Sequence, residues 1–182
     1  MSLYIGVDLS SARQLARYLD PGRHVSRKEH LRRLEELWEV LYWQAFEARK
    51  LASSHREFAV GCAVLGFSQD RWYGPRWQVF KGANVKILQE SRTVCAEAIA
   101  LGAALQAGCA EIIGMVVVGE PQEDSYSKKV FPTLHPCHEC RVLMSSHPLM
   151  KGRARILTAV PADPPATFRI HTLRQILAIH GE

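Results

Sequence analysis

The sequence predicts a layered α/β domain with parallel crossovers. Three observations lead there. Helical apolar stripes alternate with short, continuous runs of β-branched and small apolar residues. The order of elements reads helix, hairpin, helix, strand, helix, strand, helix. The chain has 182 residues, 47% hydrophobic and 23% charged, which is enough to bury a core without disulfide staples. The longest run free of charge and strong polarity, Phe58 to Phe67, is far shorter than the roughly 20 residues that cross a bilayer as a helix.

Residues 1–25 read as an appendage, with one short helix over Ser11–Leu19 ended by the breaker pair Pro21 and Gly22. The main domain spans 26–182. It opens with Ser26 and Glu29 in capping-box spacing, in which hydroxyl and carboxylate each satisfy an otherwise unpaired backbone N–H. From there Leu31, Leu34, Trp38, Leu41, Tyr42, Ala45, Ala48 and Ala52 recur at helical spacing to about Ser53. That stripe needs a partner, and the apolar run Phe58–Gly66 supplies one as a buried strand. A second strand around Trp77–Val79 pairs with it across a loop at Asp70–Pro75. Thr93–Ala107 is rich in Ala and Leu and stops at Gly108, so it reads as a buried helix with a glycine end. Ile112–Val118 is a central strand, Cys137–Ser146 a helix entered through Pro136, and Arg155–Val160 another strand. Pro161, Pro164 and Pro165 break the chain before a last helix at about Thr172–His180.

The net charge of +5, from 23 Lys and Arg against 18 Asp and Glu, is spread along the chain, and only Lys151, Arg153 and Arg155 cluster. It reads as a solvated surface rather than a nucleic-acid tail. Met1–Arg17 holds Asp8, Arg13 and Arg17 and no continuous apolar stretch, which predicts a cytoplasmic protein. Five cysteines make a poor disulfide framework, and in a reducing compartment paired cysteines bind metals or catalyse.

Two segments concentrate the chemistry. Cys95-Ala96-Glu97 opens one helix, and Pro136-Cys137-His138-Glu139-Cys140 opens the next. A first helical turn has unpaired N–H groups and the positive end of the helix dipole, which favour thiolate, the form that binds metal. Cys137 and Cys140 share a helix face, and three sulfurs suit a tetrahedral zinc ion with its fourth position left to water. Glu97 is the natural base. Its spacing from Cys95 would turn it away on an ideal helix, so the pairing requires the irregular geometry of a helix start.

These residues resemble the cytidine deaminase family in its three-cysteine form. Phe58-Ala59-Val60-Gly61-Cys62-Ala63 is similar to the family's F-x-V-G-A-A strand, Gly82-Ala83-Asn84-Val85 to its G-x-N-V segment, and Cys140-Arg141 to its C-R continuation, all in the family's order over about residues 28–160. The resemblance implies a three-layer α/β/α fold around a mixed sheet of about five strands. It makes Cys95, Cys137 and Cys140 the Zn²⁺ ligands and Glu97 the proton shuttle; Phe58 would contact the base, Asn84 the ribose, and the backbone around Ala96 the cytosine ring. It implies hydrolytic attack on the ring carbon with release of ammonia from cytidine, deoxycytidine or a related aminated nucleoside or nucleotide. It further implies pyrimidine salvage and a homotetramer.

The chain departs from the family pattern in four places. Lys86 and Ile87 stand where Glu-Asn is usual beside the ribose, Ala98 where an Arg offsets the charge of the sulfurs, and His138 where Gly lies between the paired cysteines; Gly119–His135 makes a long approach to Pro136. Three thiolates and Zn²⁺ sum to −1, and Arg141 is the expected compensating donor. The inverted charge at Lys86 points to a modified nucleoside or a phosphorylated ligand. Two alternatives remain. His135 or His138 could close the metal sphere and make a structural zinc module, and Trp72, Tyr73 and Trp77 near a basic surface could serve a single-stranded DNA or RNA cytosine deaminase. Trp38, Tyr42 and Trp43 read as core or subunit contact, and Cys62 and Cys109 as ordinary thiols.

Overall fold

The computed structural model describes residues 25–54, 58–70, 74–86 and 93–181. The helix expected over Ser11–Leu19, the aromatic pair Trp72 and Tyr73, and Ile87 lie outside the described residues.

The elements are α1 (Arg27–Arg49), β1 (Ser53–Ser54), β2 (Gly61–Asp70), β3 (Gly74–Ala83), β4 (Val85–Lys86), α2 (Ala96–Gln106), β5 (Glu111–Val118), α3 (His138–Ser146), β6 (Arg155–Ala159), β7 (Phe168–Thr172) and α4 (Leu173–His180). A five-stranded mixed sheet runs in the order β3-β2-β5-β6-β7, and β1 and β4 form a separate parallel pair. The strand β2 is antiparallel to both β3 and β5, while β5 and β6 are parallel. Two parallel crossovers follow: β3 to β5 through α2, passing over β2, and β5 to β6 through α3.

Alternation along β2 builds the layers. Ala63, Leu65 and Phe67 face α1 together with Leu34, Leu41, Tyr42 and Ala45. Cys62 and Val64 face the other way, against Ala96, Ala100, Leu101 and Ala104 of α2 and Cys140 and Met144 of α3. A strand buried on both faces reads as the continuous apolar run seen in the sequence. The result is an α/β/α sandwich whose sheet matches the expected strand number.

Local signals place the ends. Ser26 Oγ accepts from Glu29 N at 3.2 Å and starts α1. Gly108 adopts φ +75 beyond α2 and lets Cys109 N reach Ala104 O at 3.2 Å, the glycine stop expected there. Thr172 and Gln175 form a reciprocal cap on α4.

Several elements differ from expectation, and β2 runs over Gly61–Asp70 rather than Phe58–Gly66. β7 was not foreseen, because the alternating Phe168-Arg169-Ile170-His171 is only a few residues long and sits behind prolines, and an exposed edge strand leaves little hydrophobic signal. β3 extends well beyond Trp77–Val79, since Arg76 and Lys81 are exposed on an edge strand and, with the polar Gln78, mask it in the sequence. α1 ends at Arg49 rather than Ser53, and α2 begins at Ala96 rather than Thr93.

Two glycines set the distance between layers. A Cβ at Gly61 would lie 1.9 Å from Ala45 O, and one at Gly82 2.4 Å from Ala96 O and 2.9 Å from Ala100 N. Gly61 therefore lets α1 lie directly on β2, and Gly82 lets the first turn of α2 lie on β3. Gly61→Ala should cost at least about 1–3 kcal/mol, the usual cost of overpacking. Urea denaturation should show it as a lower midpoint with metal content retained, whereas Gly82→Ala should lower both stability and metal content.

Candidate metal centre

β3 and β5 are parallel to each other, so the helices that follow them begin at the same edge of the sheet, where α/β folds bind ligands. Cys95 is the residue before α2 and Cys137 the residue before α3, both with extended backbone (φ −71, ψ 150 and φ −63, ψ 168) and neither side chain capping its own helix. Their sulfurs turn towards each other across the two helix starts. Cys95 Sγ lies 3.7 Å from Cys137 Sγ, and with Cys140 all three sulfurs lie within 4.8 Å of one another. Tetrahedral zinc with Zn–S near 2.3 Å places its sulfurs about 3.8 Å apart, so the donor set fits the ion.

Extended backbone at Cys95 also resolves the spacing of Cys95 and Glu97. Ideal helix geometry begins only at Ala96, so the turn can bring both side chains to one side. Glu97 is 4% exposed, and its carboxyl is close enough to hydrogen-bond with the Cys140 thiol. Burial, followed by the neighbouring Cys137 sulfur, raises it to a pKa of about 7, against the opposing pull of its own backbone N–H and of Cys140.

The sulfurs share protons unequally. Cys95, accepting from the Cys137 and Cys140 thiols, falls to about 4 and is a thiolate at neutral pH. Cys140 is pushed far up by donating to Cys137 and Cys95 and by burial. Cys137, although it accepts from Cys140, is raised by donating to Cys95 and by burial. Without an ion the cluster holds one negative charge; a divalent cation lets it carry three.

The other residues expected at the site are arranged as follows. Ala96 is fully buried at the first position of α2. Phe58 is half-buried against the core layer that contains Cys140. Asn84 is buried, its Oδ1 accepting from Val60 N at 2.7 Å and its Nδ2 donating to Phe58 O at 2.8 Å, so it ties the end of β3 to the Phe58 segment. Arg141 is fully buried; Nη1 donates to Asp124 Oδ2 at 2.7 Å and to Pro136 O at 2.8 Å, so its charge faces a carboxylate. Asp124 carries no signal of this role in the sequence. Its carboxylate accepts from Tyr126 N, two residues on, in an Asx turn, but nothing in the order of residues signals that it meets Arg141.

The histidines offered as a fourth ligand go elsewhere. His135 Nδ1 lies 3.2 Å from His180 Nε2, and His138 stacks on Tyr126 with ring centres 4.3 Å apart. Among the described residues, no histidine or carboxylate joins the three sulfurs in one cluster. Trp77 Nε1 donates to His30 Nδ1 at 3.4 Å and lies under Arg33, against α1. Tyr42 is buried in the α1 layer with Trp38 and Trp43 packed against it, the core role expected of them. Cys62 is fully buried near Glu97, and Cys109 packs over Gly66.

The family model for the cytidine and deoxycytidylate deaminase zinc-binding region matches residues 36–151. Among solved structures, cytidine deaminase from Burkholderia pseudomallei is 24% identical with a TM-score of 0.55, the match covering 75% of this chain and 93% of that one. Cytidine deaminase from Mycobacterium tuberculosis is 25% identical with a TM-score of 0.52, covering 77% and 93%. The Mycobacterium leprae enzyme is 21% identical with a TM-score of 0.51, covering 77% and 96%. No curated protein sequence matches the chain.

Two outcomes follow from the geometry. Because Cys95 is already a thiolate and its two partners are not, zinc binding at pH 8 should release about two protons per ion, measured by calorimetry in buffers of different ionisation enthalpy. Glu97, with its folded pKa raised from 4.5 to about 7, binds a proton more tightly in the folded than in the unfolded chain, so stability falls as pH rises through that window. Metal-free Glu97→Gln should therefore exceed the metal-free parent at pH 8, by up to about 3 kcal/mol, and the difference should close towards pH 4.5 in urea denaturation with chelator present.

Proposed function

This chain belongs to the cytidine and deoxycytidylate deaminase family, and from that premise we propose that it is a zinc-dependent hydrolase that removes the amino group of cytidine, deoxycytidine or a related aminated nucleoside or nucleotide. One observation supports this above the others: three sulfurs converge at two helix starts beside a buried carboxyl, and no fourth donor of the described residues completes the set. A structural zinc site normally takes four protein ligands.

Zinc, when bound, supplies an acidified water at neutral pH. The remaining chemistry belongs to the chain. Glu97, poised near 7, can take a proton and give it up at the same pH, which is what a group serving as both acid and base requires. It would receive one proton from water and deliver it to ring N3, then take the second from the hydroxyl added to the ring carbon and pass it to the departing amino group, which leaves as ammonia. Phe58 supplies an apolar face for the base. The first N–H groups of α2, around Ala96, have no partners within the helix and are suited to acceptor atoms of the ring. Asn84, with one amide N–H and one lone pair beyond its bonds to the Phe58–Val60 backbone, contacts the sugar, and Lys86, half-buried in β4 two residues on, brings a cation to the same side.

Lys86 carries the substrate preference. A cation where a neutral ribose would be held favours a ligand with phosphate on the sugar. Stacking aromatics for a polynucleotide have no support among the described residues, since Trp77 is occupied by His30 and Arg33. No helix of the described residues is long and apolar enough to cross a membrane. The resemblance to the family supports a cytoplasmic salvage enzyme that assembles as a homotetramer, with light scattering as the test of assembly.

The deciding assay is ammonia release from cytidine, deoxycytidine and CMP. Glu97→Gln should retain one zinc per chain and lose about 10²–10⁴-fold or more in kcat. Cys137→Ala should lose the zinc as well. Lys86→Glu should lower kcat/KM for CMP by about ten- to a hundredfold, the worth of one charged hydrogen bond, while leaving cytidine unharmed. Failure of all three substrates with zinc in place would overturn the substrate class, and ammonia release undiminished in Glu97→Gln would overturn the mechanism.

A further inference from the structure

The long approach to the metal centre, residues 119–137, is built around one carboxylate. Asp124 Oδ1 accepts from Tyr126 N at 3.1 Å and Ser127 N at 2.6 Å, while Lys128 N donates to Asp124 O and Asp124 N to Lys129 O, each at 2.9 Å. These bonds close a tight turn with Lys128 at φ +57. The outer face of the same carboxylate receives Arg141, at 2.7 Å to Oδ2 and 3.4 Å to Oδ1, and both side chains are nearly or fully shielded from solvent.

Arg141 is the residue after Cys140, and it holds two consecutive carbonyls at the start of α3. Its main-chain N donates to Cys137 O at 2.9 Å and its Nη1 to Pro136 O at 2.8 Å. One residue before Pro136, His135 Nδ1 meets His180 Nε2 at 3.2 Å, and His180 Nδ1 lies 2.9 Å from Ser127 Oγ and 3.6 Å from Asp124 Oδ1. The strap that delivers Cys137 is thus gripped at Pro136 by Arg141 and at His135 by His180, and both grips meet at Asp124.

We propose that Asp124 is a positioning residue of the metal centre: it fixes Arg141 against the Pro136 carbonyl, and so sets where the Cys137 sulfur stands relative to Cys140 and Cys95. The proposal rests on the three cysteines holding the ion and not on the reaction. A sulfur displaced by even a few tenths of an ångström leaves the ion with a strained third ligand, because Zn–S distances tolerate little variation. Residues that orient metal ligands without touching the ion typically change affinity by about 10–100-fold.

The test uses the zinc-loaded chain and its cobalt(II)-substituted form. Asp124→Asn keeps the size and the acceptor for Ser127 N but removes the charge from Arg141. It should transfer zinc to a chromogenic chelator about 10–100-fold faster than the parent and shift the visible cobalt–thiolate bands. Thr133→Val is the control. It breaks the buried 2.7 Å Thr133–Thr158 hydrogen bond, which joins the same loop to β6, without touching Arg141, and it should lower stability while leaving zinc transfer within about twofold. In an Arg141→Met background, Asp124→Asn should add little further, because both act through one contact. Should Asp124→Asn fail to fold, Asp124→Glu takes its place: it keeps the charge but displaces the guanidinium by a methylene, and it should transfer zinc faster than the parent. Parent-like transfer and cobalt spectra in the Asp124 variants, or full additivity with Arg141→Met, overturn the proposal. A parent chain that takes up neither metal overturns the metal centre itself, a result separable from any failure to release ammonia.

Discussion

Two helix starts are held face to face at one edge of a sheet, and the rest of the structure serves that arrangement. Each start leaves backbone N–H groups without partners and concentrates positive potential. The sequence places a cysteine at each of these points, and the fold makes the points coincide because β3 and β5 run parallel with β2 between them. Close seating of α2 on β3 at Gly82 fixes the height of Cys95 and Glu97 above the sheet. On the other side, the turn through Pro136 fixes Cys137.

Burial acts on the two kinds of acid at the site in opposite functional senses. It raises Glu97 into the range where a carboxyl can exchange its proton at neutral pH, while hydrogen bonds among the three sulfurs, with burial behind them, leave a single negative charge on Cys95. A cation relieves the second condition without removing the first. The same desolvation that costs stability in the metal-free chain therefore makes the loaded site useful, a common trade at functional positions.

Much of this was legible from residue order because the informative signals are local. A capping Ser26, a glycine stop at Gly108 and alternation hidden inside the apolar run of β2 each depend on a few neighbouring residues. The Cys-Ala-Glu and Pro-Cys-x-x-Cys segments could be read as a metal centre for the same reason, and the sulfurs do converge. What was not legible depends on long-range meetings. β7 exists because β6 offers it an edge. The guanidinium of Arg141 meets a carboxylate 17 residues away, and that pairing follows from how a loop folds back rather than from spacing. Asn84 likewise commits part of its amide to the backbone of a segment 24–26 residues earlier.

The 3.7 Å approach of Cys95 to Cys137 also has a topological meaning. These residues are 42 positions apart, and the intervening chain contains all of α2 and β5. An ion gripping both ends is a cross-link across that stretch, and in the loop-closure account a link of this size removes unfolded-state entropy worth about 4 kcal/mol. The metal is then a fastener for the central strand, so the metal-free chain, though folded, holds β5 between two ends that no ion ties together.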